Sequence, residues 1–108
     1  MATSAKTKPA GADPVKVDPK HYSVEFENEK VRVLRIKYGP GEKSVMHGHP
    51  AMLGVFLTDG KVRFTYPDGK KEEVTTKAGQ VMHFDALEHD PENVGAKPFE
   101  VIGVELKG

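Results

Sequence analysis

The sequence has no cysteine, which excludes disulfides, thiolate metal sites and cysteine nucleophiles. It has no charge excess either: 16 Lys and Arg stand against 16 Asp and Glu, for a formal net charge of zero. A protein that grips nucleic acid concentrates basic residues on one face to neutralise phosphates, so nucleic acid is excluded as the main partner. No apolar run reaches the roughly 20 residues that a membrane span needs, and a membrane role has no support. Residues Met1 to Gly11, MATSAKTKPAG, lack the apolar core of a signal peptide. A cytoplasmic protein is expected, with a secreted or periplasmic one left open where such a leader has replaced an export signal. No stretch carries the apolar stripe of an amphipathic helix.

What is present fits one globular domain: 108 residues, 37% hydrophobic and 30% charged. Residues 1–14, rich in Ala, Thr, Lys and Pro, bury too little to offset the entropy of ordering and are expected to form a disordered arm ahead of a single domain at 15–108. Pro14 and Pro19 bracket Val15 and Val17, a short extended piece expected along a sheet edge. From Tyr22 onward the pattern is strand after strand. Tyr22, Val24 and Phe26 alternate with polar residues as in a half-buried strand, and Val31 to Tyr38 repeats the pattern before Gly39-Pro40-Gly41 breaks it. Met52 to Thr58 is a continuous apolar run ending in Asp59-Gly60, read as a hairpin turn. Lys61 to Tyr66 follows, then a turn at Pro67-Asp68-Gly69, then Glu72 to Thr76, Val81 to Phe84 and Phe99 to Leu106. Short strands separated by Gly, Pro and Asp turns mean an all-β sandwich or barrel.

The chemistry sits in the histidines. His47 and His49 are two apart on a strand or its entry, so both rings leave the same face and can meet one ion. Gly48 between them removes bulk from the other face. His89 follows the Val81 to Phe84 strand, which in a closed barrel lies opposite the first pair. Three neutral imidazoles suit zinc, iron, nickel, copper or manganese; an exposed or hydrogen-bonded pair is the ordinary alternative for such a spacing. His83 and Asp85 share a strand face and are candidates for the interior, His83 as a further ligand or acid/base group. Glu88 is a candidate partner for His89, and Met46 and Met52 are candidates for a pocket wall. Val45, Phe56, Phe64, Phe84 and Phe99 read as barrel core. Glu42 is expected to be exposed near the barrel mouth, and His21 to lie at the surface or an edge.

The segment around the pair resembles the first motif of the cupin family, G-x5-H-x-H-x3,4-E-x6-G. Gly41 is followed by five residues and then His47-Gly48-His49, and Gly60 stands at the closing glycine. The second motif, G-x5-P-x-G-x2-H-x3-N, is matched more loosely by Gly79, His89 and Asn93. Leu53 or Gly54 falls where the first motif has its glutamate. Asp85 stands at the second motif's proline and Leu87 at its glycine, in a segment one residue short. The resemblance, over about Tyr22 to Leu106, implies a small RmlC-like cupin: a double-stranded β-helix or jelly-roll barrel with a metal pocket, and often a homodimer. A set of His47, His49 and His89 with no glutamate looks like the three-histidine site of the acetylacetone-cleaving dioxygenases. Three neutral ligands leave a divalent ion its full charge and one to three open positions, which suits a small chelating oxygenated compound such as an enolised diketone or a 2-oxo acid. The expected function is therefore a metal-dependent enzyme, an iron(II) dioxygenase or a related isomerase or lyase. The alternative is a non-catalytic cupin that binds or senses a small molecule, with the metal as anchor or staple.

Overall fold

Alternating apolar residues become strands wherever a Gly, Pro or Asp turn lets the chain reverse, and nine strands result among the described residues. They are β1 (Tyr22–Glu27), β2 (Val31–Tyr38), β3 (His47–His49), β4 (Met52–Phe56), β5 (Gly60–Thr65), β6 (Lys71–Thr76), β7 (Val81–Phe84), β8 (Leu87–Asn93) and β9 (Phe99–Leu106). The computed structural model describes residues 11–108. Two antiparallel sheets form, one in the order β1-β2-β9-β4-β7 and the other β3-β8-β5-β6. Their facing sides enclose a core that includes Leu34, Ile36, Tyr38, Met52, Phe56, Val62, Phe99 and Val101. This is the all-β architecture expected from the strand pattern, in the jelly-roll form that the resemblance implies.

Several local expectations are corrected. Val15 and Val17 lie in a one-turn helix, α1 (Pro14–Val17), not in an extended edge piece. Asp13 caps it by accepting from the Val15 N–H, and Pro14 sits at the first position, where its missing N–H is harmless. The arm expected at 1–14 is ordered over its last residues: the Gly48 N–H donates to the Ala12 carbonyl at 2.8 Å, and Asp13 pairs with Arg32. Residues 1–10 of that arm lie outside the described residues. Asp59-Gly60 is not a hairpin turn, because β4 and β5 belong to different sheets and the chain crosses between them there. Asp59 instead accepts from the Ala78 N–H. Pro67-Asp68-Gly69 does join a hairpin, β5 to β6, with Gly69 at φ 87°.

Of the alternating residues in β1 only Tyr22 is buried; Val24 and Phe26 are exposed, and the register slips between them. Val45 is exposed as well, not core. The outer faces of the two sheets differ sharply. On the four-stranded sheet Arg63 pairs across strands with Glu73 and Glu92. On the five-stranded sheet one outward row runs Phe26, Val33, Val104, Leu53, and a second runs Ile102, Val55, Val81.

Candidate metal centre

Strand β3 is only three residues long, and all three are buried. It pairs with β8 so that His47 stands directly opposite His89 and His49 opposite Leu87. His89 is therefore the strand neighbour of the pair, not its counterpart across the barrel: Asp85-Ala86 carries the chain from β7 in one sheet to β8 in the other. The three rings form a nearly equilateral triangle, with centroids 5.0, 4.9 and 5.1 Å apart. Each ring is close to perpendicular to the other two, at 84 to 87°. One nitrogen from each lies within 4.8 Å of those of the others.

Hydrogen bonds on the far side of the rings fix which nitrogen faces inward. His47 Nδ1 donates to the Val45 carbonyl at 2.8 Å, which leaves Nε2 with a free lone pair. His49 Nδ1 donates to Glu105 Oε2 at 2.7 Å, with the same consequence. His89 is held by parallel stacking on Phe64 at 5.0 Å. Nε2 of His47 and Nε2 of His89 are buried and have no hydrogen-bond partner among the described residues. A buried polar atom without a partner costs free energy, and two such atoms aimed at one point are what a three-nitrogen metal site needs before the ion is present. Burial, and then the neighbouring His49, lowers the pKa of His47 to about 4, and His89 is pushed well below its ordinary value by burial and the other two rings. Neutral rings are the ligating form. The donor set therefore fits a divalent ion of the nitrogen-preferring kind.

Glu105 is the residue that motif matching missed. It is 3% exposed, and it accepts from His49 on one oxygen and from the Arg32 guanidinium on the other, the latter at 2.8 Å. Burial by itself raises its pKa, but those two bonds outweigh it and hold the carboxyl below the ordinary range. Arg32 continues to Asp13 through two N–H groups at 3.1 and 3.0 Å. Two carboxylates against one guanidinium leave a net negative charge behind His49, so an ion held here would be partly compensated from outside its ligands, contrary to the expectation of an uncompensated +2. A signal for both residues was present. Alternation places Glu105 on the inward face of β9 with Phe99, Val101 and Gly103, and Arg32 on the inward face of β2 with Leu34, Ile36 and Tyr38; the two stand opposite one another in register.

The other candidates separate clearly. His83 is exposed on the face of β7 away from Met82 and Phe84, which pack inward, and Asp85 is exposed just after that strand; neither belongs to the cluster of three rings. Glu88 alternates with His89 onto the outer face of β8, against Gly11, and makes no bond to it. Met52 is buried and lines the cavity beside His49 and His89, whereas Met46 is only partly buried and does not. Gly54 faces inward at the position where the motif would place glutamate. His21 is buried, not at the surface: Nδ1 bonds the Asp18 carboxylate at 2.8 Å, Nε2 bonds Glu42 at 3.0 Å, and the ring stacks on Tyr38 at 4.2 Å. Glu42, accepting also from Gly39 and Lys20, is lowered to about 2. Asn93 is fully buried and shapes a turn, donating to the Tyr38 and Lys97 carbonyls and accepting from Gly95.

Solved structures share this architecture. A cupin domain from Bordetella pertussis Tohama I is similar at a TM-score of 0.74 and 24% identity, over 81% of this chain and 92% of that one. A double-stranded β-helix protein from Klebsiella pneumoniae is similar at 0.66 and 21%, over 100% and 89%. A mutant of Bacillus subtilis oxalate decarboxylase is similar at 0.57 and 24%, over 72% of this chain but 22% of that longer one. No curated protein sequence matches the chain. The Cupin_2 family model, described as a cupin domain, matches residues 34–105, and the chain belongs to the cupin family.

Proposed function

We propose that His47, His49 and His89 hold one divalent metal ion per chain, iron(II) in the favoured reading, and that the protein is a metal-dependent dioxygenase or related enzyme acting on a small chelating oxygenated compound. The observation that carries this is the pair of buried, unpartnered Nε2 atoms of His47 and His89, converging with His49 in one triangle. When bound, such an ion supplies Lewis-acid polarisation of a chelating oxygen pair and, as iron(II), reactivity toward dioxygen. The chain's own part is to keep the His47 and His89 rings neutral and all three rings oriented, with Glu105 fixing the tautomer of His49, and to exclude water behind them. The test has two stages. Metal analysis should give one equivalent per chain, largely lost in His47→Ala and in His89→Ala; full retention in both would refute the ligand assignment. The iron(II) protein, mixed with an enolised diketone, should then consume oxygen.

A second reading, a non-catalytic cupin that binds or senses a small molecule, is favoured by the lining of the cavity. No lysine, arginine, aspartate or glutamate lines it among the described residues, so no carboxylate stands ready as a general base. Ligand-dependent melting shifts without turnover across a broad substrate panel would select this reading.

We also propose that the chain forms a homodimer through the outer face of the five-stranded sheet. The outward rows of Phe26, Val33, Val104 and Leu53 and of Ile102, Val55 and Val81 make an apolar patch of the kind that marks an interface. The patch is bordered by Arg35, which is neutralised by Glu25 and Glu100, so two copies meet without like-charge repulsion.

A further inference from the structure

The cavity beside the histidines carries chemical information beyond the presence of a metal. It is lined from both sheets, and His49 and His89 are among the lining residues. Beyond them the walls are hydrocarbon: Met52, Phe56, Val62, Phe84 and Phe99. The hydroxyls present, those of Tyr22 and Tyr38, share a hydrogen bond at 2.7 Å and carry no charge. Moving a charged group into such surroundings without a partner is strongly unfavourable, whereas each methylene buried there is favourable. The volume, about 60 Å³, suits only a short body. Gly54 contributes to the room available: a Cβ there would sit 3.3 Å from the Phe84 ring and 3.6 Å from that of Phe56.

We infer that the site selects a ligand with a single chelating, oxygen-bearing end and a short, uncharged apolar body, and rejects compounds that carry a second charged group, small dicarboxylates among them. This rests on the three-histidine metal reading. The inner end of the ligand meets His49 and His89, the body lies along Met52 and the phenylalanines, and no lysine or arginine among the lining residues can pair with a remote carboxylate. Selectivity comes from the absence of charge on the walls.

The experiment uses the cobalt(II)-loaded protein and three hydroxamate probes, read by the visible absorption of the ion. Acetohydroxamate, butyrohydroxamate and succinic monohydroxamate share one chelating end. The second carries two more carbons than the first, and the third replaces its terminal methyl by a carboxylate. Butyrohydroxamate should bind about tenfold more tightly than acetohydroxamate, since two extra methylenes are buried. Succinic monohydroxamate should bind at least tenfold more weakly than butyrohydroxamate, although its extra negative charge draws it toward a cation. Equal or tighter binding of the carboxylate probe overturns the inference. Gly54→Val should keep one equivalent of cobalt and lose the preference for butyrohydroxamate. Should that variant not fold, Phe84→Leu serves instead, with hexanohydroxamate added to the probes, and should bring hexanohydroxamate level with or above butyrohydroxamate; a folded variant, of either kind, that ranks the probes as the parent does also overturns the inference. A protein that takes up no cobalt fails the metal reading itself, which the stoichiometry reveals before any probe is added.

Discussion

Glu105 shows how much a single buried side chain sets at this site. Its carboxylate accepts from His49 on one side and Arg32 on the other, so it fixes a tautomer and supplies charge together. Glu105→Gln keeps the shape but loses the charge and should weaken metal binding by about 10- to 100-fold, as partners of ligating histidines generally do. Competition with a chromophoric chelator would measure this, and an unchanged affinity would show that the carboxylate is a bystander. Protonation provides a second test. Burial lowers the pKa of His47 to about 4 and holds that of His89 well below its ordinary value of 6.5, so the folded, metal-free chain keeps both rings neutral where the unfolded chain takes up protons. Folded pKa values below unfolded ones mean that this stability is complete above pH 6.5 and is lost as the pH falls toward 4. The slope approaches about 1.4 kcal/mol per pH unit for each ring. Urea unfolding with chelator present, at pH 7, 6 and 5, should show midpoints that fall with pH; a flat series would contradict the burial of neutral rings.

At the level of elements, β3 is too short to hold itself in place, and its position comes from β8 on one side and the Ala12 carbonyl on the other. The segment ahead of it is tied down at Asp13, which caps α1 and grips Arg32. Asp13→Ala removes both and should lower stability by about 1–2 kcal/mol, seen as a lower urea midpoint in the metal-free protein; no change would mean that the cap and the Arg32 pair carry no net energy. Most strands were legible, because alternation survives wherever one face is buried, as along β2 and β9, but β8 (Leu87–Asn93), which carries His89, was not among those expected. Sheet membership was not: Asp59-Gly60 carries the chemistry of a hairpin turn, yet the chain there changes sheets, and only tertiary pairing decides between the two. The same gap displaced His89, whose place beside His47 follows from the crossing at Asp85-Ala86. His21 was read as surface because its partners Asp18 and Glu42 converge from separate turns. The histidine trio itself was legible, since the spacing of His47 and His49 and the H-x3-N of His89 and Asn93 carry the cupin motifs.

For the molecule as a whole, the contrast between a charged outer sheet face and an apolar one argues for a partner. Sedimentation velocity should report about twice the mass of one chain, and Leu53→Lys with Val104→Lys, which charge the centre of the row, should return a folded monomer. A monomeric parent would remove the homodimer. Everything functional, however, depends on three nitrogens meeting one ion. The most direct measurement is X-ray absorption at the metal edge of the zinc-loaded protein. Three nitrogen scatterers at about 2.0–2.1 Å, with the outer-shell pattern of imidazole rings that diminishes by one ring in His89→Ala, is the expected spectrum. A first shell of oxygens alone, or an imidazole pattern that His89→Ala leaves intact, would contradict the site.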